Sequence, residues 1–277
     1  MHLKYWKTWI IKIKIKKLFL TDTFFLNRIW GDEMKIADGI EMLELSMNLM
    51  GRESTIYPTL IWDDDTVVLV DAGIPNSLQQ IKKAMEEVNV PFEILNKIIV
   101  THQDIDHIGG INEILEELSE LVVLAHEDDK PYIQGEKKLV RLNSNFMNRI
   151  NALPKEERGK FLEMFENLHV EVDRTLTDGE ELDFCGGIIV IHTPGHTPGH
   201  ICLYHKKSKT LIVGDAMNVI DGQLVGPNKQ SMNEEDAKIA INSLKNFENY
   251  DIKYVICYHG GLYNNNPNQR IKELIME

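Results

Sequence analysis

The chain has 277 residues, of which 43% are hydrophobic, so it can bury a core and is not disordered as a whole. Its 43 acidic and 30 basic side chains give a net charge of -13, which argues against binding nucleic acid through the phosphate backbone. Because no apolar run approaches about 18 residues, we expect no integral membrane segment. The three cysteines show no CxxC spacing, which is typical of a reducing cytoplasm and predicts a cytoplasmic protein.

The first 33 residues differ from the rest in charge. They hold 7 Lys/Arg against 3 Asp/Glu, whereas residues 34–277 hold 23 against 40. Three interpretations are open: an appended extension outside the folded core, a basic aromatic anchor at a membrane surface, or an extra edge strand. We favour the first, which gives an N-terminal extension at 1–33 and one folded domain at 34–277.

The folded domain has no linker or repeat, and its predicted elements follow one another closely. Strands are predicted at 56–62, 66–70, 97–101, 121–125, 180–184, 188–192, 200–205, 210–213 and 254–257, and helices at 77–89, 110–118, 233–247 and after Pro267. Residues 127–168 form a charged, largely helical region. This mixed order predicts two sheets covered by helices rather than one parallel sheet.

Four of the predicted strands end directly before residues that can bind a metal ion. The first precedes the segment 102–107, and the second precedes the loop that holds His196. The third precedes Asp215, and the fourth precedes His259. In an extended chain His102, Asp104 and Asp106 point to one side, and a turn into the next helix would bring His107 beside them. One loop can therefore serve two adjacent ions. The alternative, that these carboxylates cap a helix, needs only one such residue.

The ordered set of motifs resembles the metallo-β-lactamase superfamily of hydrolases across nearly all of residues 34–277. The motifs are THQDIDHIGG at 101–110, PGHTPGH at 194–200, Gly214-Asp215 and HGG at 259–261. The resemblance implies the α+β class and an αββα sandwich, in which two β-sheets are flanked by helices. It places two divalent metal ions at one edge between the sheets, and it implies that the region 127–168 is a helical insertion over that edge.

Position by position, the resemblance implies which residues hold the two ions. One ion falls to His102, Asp104 and His196, the other falls to Asp106, His107 and His259, and Asp215 bridges both. Asp71 matches a family position near the metals that does not bind them, while His192 and His200 are interpreted as ordinary strand histidines. The family usually has histidine where Asp104 stands, although its flavodiiron branch has Glu there. Zinc is the expected metal, and the carboxylate makes iron or manganese the alternatives.

The implied reaction is hydrolysis of an ester, lactone or thioester of a small acyl-bearing substrate by hydroxide held between two metal ions. Asp106 would orient this hydroxide and pass its proton to the leaving group. The alternatives are an iron-dependent redox or sulfur-oxidising member, a phosphodiesterase, or a silent ligand-binding protein. The acidic core disfavours a nuclease. The lactonase interpretation is weakened because the tyrosine that lactonases often carry shortly after the bridging aspartate is absent.

The helical insertion is the predicted source of substrate selectivity. Its apolar residues either line an acyl pocket or seat the helices on the sandwich; they are Phe146, Met147, Ile150, Phe161, Met164 and Phe165. The predicted partner is a small-molecule substrate and not nucleic acid. The oligomeric state stays open, with a homodimer as one alternative.

Overall fold

The computed structural model describes residues 36–277 apart from positions 50 and 167. The predicted extension at 1–33 lies outside this part of the chain. Within it, no helix is both long enough and apolar enough to cross a bilayer.

Two six-stranded sheets form the centre of the fold. The first contains β1 (Ile40–Met42), β4 (Thr59–Trp62), β5 (Val67–Val70), β6 (Lys97–Val100), β7 (Val122–His126) and β8 (Arg174–Leu176), in that order. Strands β5 to β8 pair in parallel, whereas β1, β4 and β5 are antiparallel. The carboxyl ends of β5, β6 and β7 therefore meet at one edge of this sheet.

The second sheet is mostly antiparallel. Its order is β16 (Gly261–Tyr263), β15 (Tyr254–Cys257), β12 (Thr210–Ile212), β11 (Ile201–His205), β10 (Ile188–His192) and β9 (Glu181–Leu182). Strands β12 and β15 pair in parallel, so their carboxyl ends also lie together. Two separate hairpins pair β2 (Leu45–Leu49) with β3 (Arg52–Ile56), and β13 (Asn218–Ile220) with β14 (Gln223–Val225).

Helices cover the outer faces of both sheets. They are α1 (Leu78–Glu87), α2 (Ile105–Ile108), α3 (Ile111–Glu117), α4 (Lys130–Ile133), α5 (Ser144–Asn151), α6 (Lys155–Glu166), α7 (Glu234–Ser243) and α8 (Pro267–Met276). Helices α4, α5 and α6 lie within the predicted insertion at 127–168. Met164 and Phe165 on α6 pack against the core on the helix side of the first sheet.

Alternation along the strands separates the apolar core into layers. In β5, Val68 and Val70 belong to the cluster between the two sheets, while Val67 and Leu69 belong to the cluster under the helices of the first sheet. A third cluster joins the second sheet to α7 and α8. This period of two arises because successive strand side chains point to opposite faces. The layers run helix, sheet, sheet, helix, which confirms the predicted αββα sandwich of the α+β class.

Two local predictions were wrong for identifiable reasons. The strand predicted at 56–62 is divided between β3 and β4, because Pro58 has no N–H group to donate to a ladder. The residues His102, Asp104 and Asp106 do not share one extended face, because α2 begins at Ile105.

Candidate metal centre

The structure brings the side chains of all seven predicted metal ligands together at the edge where the parallel strands end. They form two adjacent groups: His102, Asp104, His196 and Asp215 in the first, and Asp106, His107 and His259 in the second. Within each group one ligand atom per residue lies within 4.8 Å of the others.

The early start of α2 explains how one loop reaches both groups. His102 and Asp104 precede the helix, and Asp104 still has extended backbone angles (φ -68°, ψ 147°). Asp106 and His107 lie on the helical turn, so their side chains point in a different direction from that of Asp104. The loop therefore divides between the two groups at Ile105.

The distances between ligand atoms of the first group are close to those expected around a single metal ion. Oδ2 of Asp104 lies 3.6 Å from Nε2 of His102 and 3.1 Å from Nε2 of His196. Nε2 of His196 lies 3.3 Å from Oδ2 of Asp215. For a tetrahedral ion with bonds of about 2.0–2.2 Å, ligand atoms are about 3.3–3.6 Å apart. Two of the three distances fall within this range, and the distance from Asp104 to His196 is slightly shorter.

The second group shares Asp215 with the first through the other carboxylate oxygen. Oδ1 of Asp215 lies 3.3 Å from Nε2 of His107 and 3.4 Å from Nε2 of His259. Oδ2 of Asp106 lies 3.3 Å from Nε2 of His259 and 4.0 Å from Nε2 of His107. Asp215 thus faces one group with each oxygen, which is the geometry that a bridging ligand requires.

Several of these atoms lack a hydrogen-bond partner although they are buried. They are Nε2 of His102, Oδ1 of Asp104, Nε2 of His107 and Oδ1 of Asp215. A buried polar atom without a partner costs about 1–3 kcal/mol. Imidazole nitrogens and carboxylate oxygens are suitable ligands for zinc, iron and manganese. The donor set therefore fits a pair of divalent ions in its chemistry, its spacing and its free lone pairs.

Asp71 and Thr101 orient two imidazoles of the loop at 101–110, which we call the signature loop. Nδ1 of His107 lies 2.8 Å from Oδ2 of Asp71, which places the ring proton on Nδ1 and leaves the Nε2 lone pair for a ligand. The Thr101 hydroxyl donates to the same oxygen at 2.7 Å and lies 3.1 Å from Nδ1 of His102. Asp71 is therefore next to the centre without joining either group, as its family position implies.

His200, which the sequence indicated as an ordinary strand histidine, supports the bridging aspartate. The backbone N–H of Asp215 donates to Nε2 of His200 at 3.1 Å, and Nδ1 of His200 lies 2.8 Å from the Thr193 hydroxyl. Burial and the charge of neighbouring histidines hold the pKa of His200 well below its usual value, so the ring stays neutral and can accept this bond. Gly214 makes the contact possible, because a Cβ at this position (φ 47°) would lie 2.9 Å from Nε2 of His200.

Asp129, at the carboxyl end of β7, connects the two loops that carry most of the ligands. Its Oδ2 accepts hydrogen bonds from the Gln103 N–H at 3.0 Å and the Thr197 hydroxyl at 2.8 Å. Its Oδ1 accepts from Nε2 of Gln103 at 3.0 Å and from the Gly199 N–H at 2.7 Å. The sequence did not reveal this residue, because Asp129 is the last of three consecutive acidic residues, a pattern typical of an exposed turn.

Arg141 is the second residue that the sequence did not reveal. It lies in the predicted insertion, and its Nε donates to Oδ2 of Asp104 at 2.7 Å. Its Nη2 lies 2.8 Å from Nδ1 and 2.5 Å from Nε2 of His196. A guanidinium group therefore contacts two of the predicted ligands of the first group.

The two groups balance their carboxylates in different ways. Burial alone would raise the pKa of Asp104, but hydrogen bonds from neighbouring histidines and the charge of Arg141 hold it well below its usual range. In the second group burial opposes the charged form of His107, yet nearby carboxylates, Asp71 foremost, raise its pKa well above the usual value. In the first group burial lowers the pKa of His196. Asp104 thus has Arg141 beside it in addition to the histidines, while the carboxylates around His107 favour the charged form of that ring.

The centre is most open to solvent on the side of the second group. The His259 side chain is 30% exposed and that of Asp106 is 17% exposed, whereas those of His102 and His107 are fully buried. A substrate can therefore approach the second group more directly than the buried histidines.

A third cluster lies apart from the centre. His126, Asp128 and His192 offer ligand atoms within 4.8 Å of one another. The rings of His126 and His192 are stacked at 4.1 Å with an interplanar angle of 9°. Because ring lone pairs lie in the ring plane, two parallel stacked rings do not direct them at one point. His192 also uses Nε2 toward the carbonyl oxygen of Pro198 at 2.9 Å, so it keeps a structural role.

The sequence profile of the metallo-beta-lactamase superfamily matches residues 52–259, which include all seven clustered side chains. The chain belongs to this superfamily. It is therefore part of a superfamily of metallo-hydrolases and carries candidate metal-binding clusters at the superfamily's motifs.

Individual relatives agree with this placement. The chain is 31% identical to the probable metallo-hydrolase YflN of Bacillus subtilis over 158 residues. This aligned region covers 56% of this chain and 56% of YflN. It is 24% identical over 167 residues to the hydroxyacylglutathione hydrolase GloC of Haemophilus influenzae, which covers 57% of this chain and 65% of GloC. The matched region thus spans less than two thirds of these relatives' length.

The fold is also that of solved members. The crystal structure of the metallo-beta-lactamase family protein TTHA1429 from Thermus thermophilus superposes with a TM-score of 0.68 at 22% identity. The match covers 87% of this chain and 80% of that one.

Proposed function

We propose that the chain is a metal-dependent hydrolase that uses two divalent ions to cleave an ester, lactone or thioester of a small acyl-bearing substrate. The observation that carries the proposal is the pair of ligand groups joined through the two oxygens of Asp215. The buried atoms without partners in both groups support it, because divalent ions would satisfy them.

The proposed ligands follow the two groups. His102, Asp104 and His196 would hold the first ion, Asp106, His107 and His259 would hold the second, and Asp215 would bridge them. When bound, two such ions supply an activated water near neutral pH and polarise the substrate carbonyl.

Asp106 is the proposed proton carrier. Its carboxylate is less buried than that of Asp104, and Oδ2 lies 3.3 Å from Nε2 of His259 at the exposed side of the centre. From there it can orient the attacking water and deliver a proton to the leaving oxygen or sulfur. Asp71 and Thr101 keep the buried imidazoles in one orientation during the reaction.

The substrate class is proposed from three observations. The relative GloC bears the name of a thioester hydrolase, which supports a thioester. The acidic composition disfavours phosphate-rich polymers. Three free, buried cysteines are consistent with the cytoplasm, where small acyl thioesters would be met.

Asp215 gives the most direct test. Purified protein should contain about two divalent ions per chain and hydrolyse at least one member of a panel of aryl esters, lactones and thioesters. Asp215→Asn should lose most of its metal and its activity, because both groups lose their shared ligand. Asp221→Asn, an exposed aspartate in the β13–β14 turn, is the matched control and should keep both. Protein that binds no divalent ion, or that loads two and cleaves only phosphodiesters, would contradict the proposal.

The metal itself can be tested at Asp104. Oxygen ligands favour harder ions, so we propose that the native protein takes a substantial share of iron or manganese when these are supplied with zinc. Asp104→His should move the bound metal toward zinc. Mass spectrometry of both proteins grown in the same mixed-metal medium measures this. Equal zinc occupancy in the two proteins would refute the role of Asp104.

A further inference from the structure

Arg141 lies in a segment that is fastened to the signature loop. The Val140 N–H donates to Oε1 of Gln103 at 2.7 Å, and the side chain of Gln103 is itself bound to the buried carboxylate of Asp129. The next residue, Arg141, turns into the first ligand group with only 18% of its side chain exposed. The guanidinium is therefore built into the centre rather than resting on its surface.

The contacts of Arg141 conflict with metal binding by His196. Nη2 of Arg141 lies 2.8 Å from Nδ1 of His196 and 2.5 Å from Nε2, so the guanidinium lies against both ring nitrogens. Nε2 is also the atom that faces Asp215, at 3.3 Å from its Oδ2. Nε of Arg141 donates to Oδ2 of Asp104, which lies 3.1 Å from the same Nε2 of His196. The guanidinium therefore lies against atoms that an ion in the first group would need, and arginine, which has donors and no acceptor, cannot share them with a cation.

The pairing with Asp104 also has a clear physical reason. Asp104 is 7% exposed, and a buried carboxylate without a positive partner is costly. A histidine at this position would be neutral and would need no such partner. The arginine satisfies Oδ2 only, since Oδ1 of Asp104 and Nε2 of His102 stay without partners. It therefore compensates charge without replacing what an ion would do.

We propose that Arg141 is the counter-cation of the metal-free first group: it pairs with Asp104, lies against the ring nitrogens of His196, and moves out when an ion enters. The inference rests on the proposed function, because it assigns the first ion to this group. Arg141 then competes with that ion for Asp104 and His196. The first group should therefore bind metal more weakly than its ligands alone would allow.

Metal titration of chelator-treated protein tests the competition. Zn²⁺ and Mn²⁺ are titrated calorimetrically into wild type, Arg141→Met, Arg141→Lys and Arg149→Met, the last being an exposed arginine on α5 that serves as control. Removing the guanidinium should tighten the first-group affinity by about 10–100-fold, the range over which residues that contact ligands change metal affinity. Affinity at the second group and in Arg149→Met should not change. Arg141→Lys, which keeps the charge but loses the planar fork, should fall between.

A second measurement does not depend on activity. Nitrogen-15 NMR of arginine-labelled protein follows the Nε–H of Arg141 directly, and the signal is assigned by its absence in Arg141→Lys. In metal-free wild type this N–H should exchange slowly with solvent, because Oδ2 of Asp104 accepts it, and adding Zn²⁺ should make the exchange faster. The metal-free Arg141→Met protein should also melt below Arg149→Met, because Asp104 loses its partner.

The outcomes separate this inference from the proposed function. Unchanged or weaker metal binding in Arg141→Met would overturn it, and weaker binding would mean that Arg141 supports the loaded centre. An Arg141 Nε–H exchange rate that Zn²⁺ leaves unchanged would overturn it as well, even if the methionine variant does not fold. Failure of wild type and all variants to bind any ion would overturn the proposed function, and this inference with it.

Discussion

Asp129→Asn is the change that most directly tests how the ligand loops are held. The Asp129 carboxylate is buried, with 1% of the residue exposed, and it accepts hydrogen bonds from both loops. Asparagine has the same shape, but it removes the charge and replaces one acceptor oxygen with an NH2 donor. Any effect therefore comes from hydrogen bonding rather than from a cavity.

The contacts of each oxygen set the size of the effect. Each oxygen of Asp129 serves two donors, so the single amide oxygen of asparagine can keep two of the hydrogen bonds at most. Two are lost, although the Thr197 hydroxyl can turn and accept from the new amide group. A buried donor left without an acceptor costs about 1–3 kcal/mol. We expect the free energy of unfolding to fall by about 2–4 kcal/mol, which lowers the melting temperature by about 4–16 °C for a domain of this size.

Thermal unfolding of metal-free protein, followed by circular dichroism, measures this loss. The matched control is Asp128→Asn, because Asp128 is adjacent and its side chain is 57% exposed. Metal titration of the same proteins should show weaker binding in Asp129→Asn, since His196 and the signature loop are no longer joined. A melting temperature for Asp129→Asn within about 1 °C of the control would refute the role of Asp129 as the connection between the loops.

Three further predictions use other parts of the centre and its core. Dialysis against a chelator should lower the melting temperature, and adding back divalent ions should restore it, because ions that bind the folded state stabilise it; an unchanged melting curve would count against a metal centre. Burial raises the pKa of Cys185 and Cys202 to about 12 and that of Cys257 well above its usual value. A thiol reagent at about pH 8 should therefore label none of them until the protein unfolds. Rapid labelling of the native protein, measured by mass spectrometry, would contradict the described burial. Gly214→Ala should reduce both stability and metal content, because its Cβ would lie 2.9 Å from Nε2 of His200 at a left-handed backbone position; unchanged metal content would show that the loop adjusts freely.

The ligand positions could be predicted from sequence because each follows a hydrophobic strand within a short, ordered motif. A strand end restricts where the next side chain can lie, so residues far apart in sequence could be assigned to one edge. The same reasoning could not give the start of α2. Asp104 has no side-chain capping bond, and the helix has only four residues, so no periodic pattern marks it.

Arg141 was beyond sequence reasoning for a different reason. It lies 37 positions from Asp104 in an irregular part of the predicted insertion, and a lone arginine there looks like any solvated charge. Its position depends on the chain of contacts from Asp129 through Gln103 to Val140. Such contacts depend on tertiary packing and leave no spacing in the sequence. His200 is similar, since its neutral acceptor role is visible only once Asp215 lies against it.

The carboxylates of the centre are neutralised by different cations with and without bound metal ions. Without ions, the carboxylates of the second group are balanced by His107 and His259, whose pKa values are raised by surrounding carboxylates against the opposing effect of burial. Asp104 in the first group is balanced by Arg141. Divalent ions would take over both tasks, which frees the imidazole lone pairs and releases the guanidinium.

This exchange changes how a substitution at Asp104 is to be interpreted. Asp104→His alone removes the carboxylate partner of Arg141 and leaves a largely buried guanidinium beside imidazoles, so its metal content combines a ligand effect with a charge effect. The double variant Asp104→His/Arg141→Met removes both members of the pair. If the carboxylate itself selects the harder ions, the double variant should favour zinc as strongly as the single one. If the selection arises through the arginine, Arg141→Met alone should already shift the bound metal, while Asp104 is still in place.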